Sequence, residues 1–202
     1  MTIKVDLHVH TKYSADANIE PKLLKKYCEK HNIVPAITDH NELKVKMPGT
    51  IPGEEILTEH GEIIGLFLQE KIPKRLSIEE TIDKIREQDG LICAPHPFDW
   101  MRRSSLRKHN FPMDIIEVFN ARVMLKNINK KALDYANKNN IIKTASSDAH
   151  FLSEVGTSYA IMDEFNSKKE FLKNLKKARL VKRRSPNINK LRGFLTKCSK
   201  LF

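Results

Sequence analysis

Two histidines stand one residue apart near the start of the chain, at the end of a strand-like run. Residues 3–9 alternate in character, and a strand places every second side chain on the same face. His8 and His10 therefore share a face, with Asp6 below them. Two imidazoles on one strand end can bind a single divalent ion. This spacing predicts a metal site at the end of the first strand.

More side chains of the ligand type follow apolar runs further along the chain. They are His40 after 36–38, Glu55 after the turn residue Gly53, His96 after 91–94, and Asp148 and His150 after 141–145. A lone histidine is usually a surface or hydrogen-bonded residue, and we interpret His31, His60 and His109 in that way. That explanation would have to hold five times over for the histidines at strand ends. Ligand types that recur at successive strand ends indicate a metal centre.

Strand-like and helix-like runs alternate through most of the chain. We predict strands over 3–9, 33–38, 54–57, 62–68, 91–94, 115–119, 141–145 and 158–162, and helices over 20–31, 77–89, 126–139, 167–178 and 187–200. Such alternation is typical of an α/β fold with a mainly parallel sheet and helices outside it, either open or closed. In closed α/β barrels the site lies at the carboxyl ends of the strands, where the candidate ligands stand.

Composition fits one soluble domain. The 202 residues are 40% hydrophobic and 30% charged, which suffices for a core and a polar surface. The chain has no apolar run of membrane-spanning length, and its first residues lack the apolar core of a signal peptide, so we expect a cytoplasmic protein. The three cysteines are far apart and form no Cys-x-x-Cys pair, which argues against a disulfide framework or a thiolate zinc site.

The formal net charge of +11 is concentrated in the last segment. Residues 168–202 hold 13 Lys or Arg and one acidic residue, Glu170. A segment of this charge could bind acidic lipid, a partner, or nucleic acid weakly and with strong salt dependence. Phe171, Leu172 and Leu175 stand at helical spacing, however, which favours amphipathic helices with a charged solvent face. We predict a main domain over 1–185 and a basic helical extension over 186–202.

Taken in order, the motifs resemble those of the PHP family (polymerase and histidinol phosphatase). They are Asp6-Leu7-His8-Val9-His10-Thr11, Thr38-Asp39-His40, Gly53-Glu54-Glu55, His96-Pro97-Phe98, Ile116-Glu117-Val118-Phe119-Asn120-Ala121-Arg122 and Ser147-Asp148-Ala149-His150. The resemblance covers roughly residues 3–185. It implies a distorted seven-stranded (β/α)7 TIM-like barrel with its metal site at the C-terminal ends of the strands. It also implies two or three divalent ions and hydrolysis of phosphate esters; a mixed site accepts zinc, manganese or iron.

The resemblance also assigns metal ligands position by position. They are His8, His10, Asp16, His40, Glu55, His96, Asp148 and His150. Glu55 is expected to bridge two ions, and Asp39 to orient its neighbours. Where many members carry a further ligand, this chain offers Asn120 or Glu117. Another familiar histidine position is held by Glu62.

The implied chemistry is attack of a metal-bound hydroxide on phosphorus. Adjacent metal ions lower the pKa of water, neutralise phosphoryl oxygens and stabilise the leaving oxygen. We expect His40, His96 and Asp148 to be the catalytic residues, and either histidine could protonate the leaving group. Guanidinium groups suit phosphate recognition, so Arg122 and Arg103, or its neighbour Arg102, are candidate substrate ligands. Trp100 could stack on a base or sugar, or pack in the fold.

Several functions remain open at this point. The leading hypothesis is a phosphoesterase acting on a small phosphorylated metabolite or nucleotide, with no membrane partner and with possible weak nucleic-acid contact through the basic segment. The alternatives are an exonuclease or RNA-processing nuclease, a catalytically weak domain serving as an RNA-protein subunit, and an amidohydrolase. Intact ligands argue against a purely structural domain. The early Asp16 and the Asp-x-His ending argue against an amidohydrolase. The oligomeric state is not predicted.

Overall fold

The structure, a computed structural model, describes residues 1–102, 111–186, 196 and 198–200. These residues form nine strands and four α-helices. The strands are β1 (Thr2–Val9), β2 (Ile33–His40), β3 (Ile51–Thr58), β4 (Gly61–Leu66), β5 (Leu91–Ala94), β6 (Ile115–Asn120), β7 (Ile142–Ser146), β8 (Tyr159–Asp163) and β9 (Arg179–Val181). The helices are α1 (Pro21–His31), α2 (Ile78–Glu87), α3 (Lys126–Lys138) and α4 (Lys168–Lys176). The eight predicted strands and the first four predicted helices are confirmed. The predicted helix over 187–200 lies mostly outside the described residues.

All nine strands belong to one sheet with the order β7-β6-β5-β4-β3-β2-β1-β8-β9. Strands β1 to β3 run parallel to one another, as do β5 to β7, and β4 lies antiparallel between the two groups. The end of β1 also meets the chain just after β7. Val9 forms an isolated bridge with Ala149, and the His10 N–H donates to the Ala149 carbonyl at 2.8 Å. The sheet therefore curls into a nearly closed, mixed α/β barrel.

The expected count of seven strands is wrong, because the described residues form nine. Strands β8 and β9 continue the sheet antiparallel beyond β1. Strict strand-helix alternation also fails between β3 and β4. Thr58 pairs with Gly61, and a two-residue turn leaves no room for the crossover that parallel strands need. The three residues of β9 are too few for alternation to reveal them.

Burial and capping fix the helices against this sheet. The α2 helix begins at a capping box, as its sequence predicts. The Glu80 N–H donates to Ser77 Oγ at 3.1 Å, and the Glu80 carboxylate accepts from the Ser77 N–H at 3.0 Å. Ile78 and Ile85 from this helix pack into one core cluster with Ile92 of β5. The strands are therefore held rigidly, which positions the side chains at their ends. Within the part of the chain that the structure describes, no helix is both long and apolar enough to cross a membrane.

Candidate metal centre

The predicted ligands lie together around one cavity at the carboxyl ends of the parallel strands. The cavity has a volume of about 590 Å³. Its lining includes Asp16, His40, Glu55, Glu62, His96, Arg102, Arg122, Asp148 and His150. His8 and His10 lie behind this lining and are completely buried. Candidate ligands that are far apart in the sequence therefore lie close together in the fold.

His8 is held from behind by a carboxylate. Its Nδ1 lies 3.0 Å from Glu117 Oε1, so Nδ1 donates a proton to that carboxylate and Nε2 faces inward. His8 Nε2 is buried without a hydrogen-bond partner among the described residues. Burial alone would lower the pKa of His8, but the charges of Asp148 and Glu55 raise it well above its usual value. A cation at Nε2 would satisfy both the orphaned nitrogen and the carboxylates.

His10 is oriented by a hydroxyl relay. Its Nδ1 lies 3.1 Å from Ser14 Oγ, and that hydroxyl donates to Asp39 Oδ1 at 2.7 Å. His10 Nδ1–H is therefore the donor, and Nε2 again faces the cavity with no hydrogen-bond partner in the described part of the chain. Burial lowers the pKa of His10 well below its usual value, and the neighbouring His150 and His40 reinforce that shift. The neutral imidazole is the form that binds a metal ion.

Glu55 lies between two pairs of histidines. Its Oε1 lies 2.9 Å from His96 Nε2 and 3.4 Å from His8 Nε2. Its Oε2 lies 2.9 Å from His40 Nδ1 and 3.5 Å from His10 Nε2. Burial would raise the pKa of Glu55, but His8 and His40 lower it well below its usual value. Each carboxylate oxygen thus faces its own pair of imidazoles, the arrangement expected of a ligand that bridges two ions.

Asp16, Asp148 and His150 close the far side of the cavity. The Asp16 carboxylate lies 3.3 Å from His150 Nε2 and 3.5 Å from His40 Nε2. His150 Nδ1 donates to the backbone carbonyl of Asp148 at 2.9 Å, so that its Nε2 faces Asp16. Asp148 Oδ1 lies 3.5 Å from His10 Nε2. These contacts place the end of β1 and the segment after β7 around the same space.

Four groups of these residues bring ligand atoms within 4.8 Å of one another. They are His10-His40-His150, His8-His10-Glu55, His8-His96-Asp148 and His40-Glu55-Glu62. Neighbouring groups share His8, His10, His40 or Glu55. The described residues therefore bring four overlapping groups of potential metal ligands together.

Asn120 stands where the sequence departs from the family pattern. Its amide nitrogen donates to Glu117 Oε2 and to Asp148 Oδ2, both at 3.0 Å. Its amide oxygen accepts from the Arg122 N–H at 2.9 Å. Glu117 in turn accepts from the backbone N–H of His96 at 2.6 Å. Both polar ends of the Asn120 side chain are thus engaged with the supports of the site.

Glu62 enters the cavity from the antiparallel strand β4. Its carboxylate lies 3.7 Å from His96 Nε2. Burial, together with the negative charge of Glu55, raises the pKa of Glu62 to about 7. The sequence marks it only as a replacement for a familiar histidine. The ionised form of Glu62, whose carboxylate faces Glu55, is nevertheless stabilised when a cation lies between the two groups.

The arginines near the cavity differ in their partners. Arg102 Nη1 donates to Asp148 Oδ2. Arg122 is buried, with Nη1 3.4 Å from Glu154 Oε2, and its Nε has no hydrogen-bond partner among the described residues. Glu154 was not anticipated from the sequence, and it also accepts from the His150 N–H at 2.9 Å. The predicted substrate ligand Arg103 lies outside the described residues.

The loop that carries Asp16 is held from two sides. On one side, Asp39 accepts from the N–H and the hydroxyl of Thr11, each at 2.6 Å. On the other side, Lys200 Nζ donates to the carbonyls of residues 12, 14 and 17, at 2.9, 2.8 and 2.7 Å. Three donors on one ammonium group meet three acceptors, so all its hydrogen bonds are made to this loop. The spacing of residues along the sequence does not predict this contact.

Comparisons with known proteins agree with this arrangement. A family model described as PHP-associated matches residues 127–180. The Methanocaldococcus jannaschii protein MJ0417 is 48% identical over 190 residues, which cover 86% of this chain and 79% of that protein. The fold and the constellation at its strand ends define a PHP-type domain. The chain belongs to the PHP family.

Solved structures with low sequence identity share the fold. One is a two-domain protein from Bacteroides vulgatus that contains a predicted PHP-like metal-dependent phosphoesterase. It has a TM-score of 0.66 and 17% identity, and the match covers 98% of this chain and 70% of that one. Another is the lesion-specific endonuclease EndoQ from Pyrococcus furiosus, with a TM-score of 0.64, 15% identity, and coverage of 89% and 58%.

Proposed function

We propose that the protein is a metal-dependent phosphoesterase that hydrolyses a phosphate ester of a small metabolite or nucleotide. The observation that carries the proposal is the position of Glu55 between two pairs of imidazoles, three of which are buried. Burying so many ionisable groups is costly unless they are paired or bind a metal. The inward-facing, unpartnered Nε2 atoms of His8 and His10 fit that explanation.

Two ions are proposed, with Glu55 between them. His8, His96 and Asp148 would hold one, and His10, His40, His150 and Asp16 would hold the other. Divalent ions at such a site activate a water molecule and neutralise phosphoryl oxygens. Glu62 offers a ligand for a third ion beside His40. Because both polar ends of Asn120 are engaged, we propose that it positions Asp148 and Glu117 rather than binding an ion itself.

The chain's own residues would bind and orient the phosphoryl group. Arg122 is held by Glu154 and lines the cavity, so its remaining N–H groups can donate to phosphoryl oxygens. Arg102, on the connection after β5, lines the same cavity. His40 is 29% exposed, whereas His96 is only 2% exposed. Of the two candidate proton donors, His40 therefore has the better access to a leaving group.

Metal analysis and a paired assay test the proposal. Purified protein should contain at least two divalent ions per chain. It should hydrolyse p-nitrophenyl phosphate or its diester, lose that activity to a chelator, and regain it with manganese, zinc or iron. His8→Ala should remove both metal and activity. His31→Ala is the matched control, because His31 lies on α1 and contacts the Tyr27 carbonyl. A folded protein that binds fewer than two ions would contradict the proposal.

A further inference from the structure

Most exposed large apolar side chains of the described residues lie on connections at one end of the strands. Among the described residues the exposed large apolar side chains are Met1, Tyr13, Leu23, Trp100, Met101, Met124 and Leu125. Five of these lie on the connections that follow β1, β5 and β6, at the carboxyl ends of the strands. We refer to Tyr13, Trp100, Met101, Met124 and Leu125 as the apolar rim. Trp100 is 58% exposed, so it is not a core residue.

Each part of the apolar rim is close in sequence to a residue that lines the cavity. Met101 itself lines the cavity, and Trp100 precedes it. Tyr13 lies three residues before the lining residue Asp16, and Met124 lies two residues after Arg122. The apolar rim therefore approaches the cavity from three separate connections. Single exposed apolar residues need no explanation, but several grouped beside a polar cavity mark a surface that binds something.

Positive charges are interleaved with the apolar rim. Lys12 Nζ and Lys44 Nζ lie 5.7 and 5.4 Å from the centroid of the Tyr13 ring. Arg102 follows Met101 directly and donates to Asp148 at the cavity. Aromatic rings alternating with cations suit a ligand that has a flat ring attached to a phosphate. An acyl chain would need a continuous apolar groove, and these side chains are spread over three separate connections.

We propose that the apolar rim binds the base of a nucleobase-bearing phosphate ester, so that the substrate is a nucleotide or the end of a single strand. This inference rests on the proposed phosphoesterase function and adds the substrate class to it. Stacking on Trp100, with Tyr13 adding to the contact, would hold the base outside the cavity. The phosphate would then reach Arg122 and the metal ligands within it.

Kinetics on three substrates test the role of the apolar rim. They are a nucleoside 5′-monophosphate, a short single-stranded oligonucleotide and glycerol phosphate, which has no base. Trp100→Ala should raise KM for base-containing substrates about tenfold, since stacking contributes roughly 1–3 kcal/mol per base. It should leave kcat unchanged and change KM for glycerol phosphate less than twofold. Leu23→Ala is the control, because Leu23 is 53% exposed on α1.

The comparison of substrates also separates the two sources of the base. A wild-type preference for the monophosphate indicates a nucleotidase, and a preference for the oligonucleotide indicates a nuclease. If Trp100→Ala impairs all three substrates equally, or none of them, the inference is wrong while the phosphoesterase function stands. If the wild-type protein hydrolyses neither these three substrates nor p-nitrophenyl esters, the proposed function itself is wrong.

Fluorescence tests the contact directly and without catalysis. Trp100 is the single tryptophan of the chain, so intrinsic tryptophan emission reports on the apolar rim alone. A nucleoside monophosphate should quench that emission in a saturable way, and glycerol phosphate should not. Tyr13→Ala should weaken the quenching severalfold, and Leu23→Ala should leave it unchanged. Emission that does not respond to the nucleotide would overturn the inference whether or not the protein is active.

Discussion

The floor and the rim of the cavity are built in opposite ways. The cavity floor consists of His8, His10, Glu55 and Asp148, which are all buried. Three of these side chains are oriented by polar groups behind them, and strands or strand ends carry all four. The apolar rim lies on connections and is exposed. A rigid floor suits chemistry that needs fixed geometry, whereas side chains on connections can differ without disturbing it. The floor should therefore determine the reaction, and the rim the choice of substrate.

The largest effect is expected from Glu55→Gln. The substitution removes the negative charge that faces both pairs of histidines, so at least one ion should be lost. Activity should fall at least about a thousandfold, because several kcal/mol of stabilisation depend on the ions. Metal content and kcat are the measurements. Glu54→Gln is the matched control, since that side chain accepts from the Ile72 N–H. A fully loaded, active Glu55→Gln protein would show that this carboxylate does not bridge.

Asp39→Asn tests the support behind the floor. Asp39 accepts three hydrogen bonds, from Thr11 and Ser14, and an amide can replace only one of its two oxygens. We expect metal affinity or kcat to fall about 10–100-fold, the usual cost of losing such a support. Asp83→Asn, on the exposed side of α2, should change neither. Equal metal affinity and kcat in the two variants would mean that the cavity floor does not depend on Asp39.

Arg122→Gln tests the boundary between floor and rim. The guanidinium is proposed to bind the phosphate itself, so KM should rise about tenfold for every phosphate ester, with or without a base. Inorganic phosphate should become a weaker competitive inhibitor by a similar factor. Arg179→Gln, at an exposed position on β9, serves as the control. A loss confined to base-containing substrates would place Arg122 with the apolar rim instead.

The last expected effect is on stability alone and concerns Asp6, which lies beneath His8 on β1. Its buried carboxyl accepts from the Ser147 and Gly156 N–H groups at 3.0 and 3.1 Å, and burial raises its pKa to about 7. A raised pKa means that the folded state holds the proton more tightly. This contribution is therefore complete below about pH 4 and is lost as pH rises towards 7.

Urea unfolding of wild type and Asp6→Asn checks this dependence. Between pH 5 and pH 8 the wild-type free energy of unfolding should fall by about 3 kcal/mol relative to the variant, at about 1.4 kcal/mol for each pKa unit. Curves that run parallel would show that Asp6 is already ionised in the folded protein. In that case the burial of Asp6 beneath the floor would not impose this cost on stability.

The residues of the cavity floor could be predicted from the sequence because strand geometry is periodic. His-x-His and Asp-x-His spacing put paired side chains on one face, and parallel strands bring their carboxyl ends to one edge. The supports were less accessible. Ser14 and Lys200 make contacts that depend on how distant segments meet. Asn120 was a candidate ligand beside Glu117, and spacing could not reveal that both its polar ends are engaged. The four α-helices and the first eight strands could be predicted from the sequence, whereas β9 and the total number of strands could not.

The apolar rim was the least accessible region. The sequence left Trp100 between stacking and packing, because a tryptophan on a long connection suits either. Only its exposed surface distinguishes the two. Arg102 and Arg103 were equally plausible phosphate ligands by position, and only Arg102 lies in the described part of the chain, beside Asp148. Connections carry no repeating pattern from which side-chain direction can be deduced.

The contact of Lys200 with the loop of residues 12–17 has a consequence for the timing of biosynthesis. The ammonium group and the three carbonyls it contacts are 183 to 188 residues apart. At translation rates of about 5–20 residues per second, the loop emerges roughly 10 to 40 s before its partner. During that interval the loop of residues 12–17 lacks these three hydrogen bonds. A chain that ends before Lys200 would lack this support of the loop that carries Asp16.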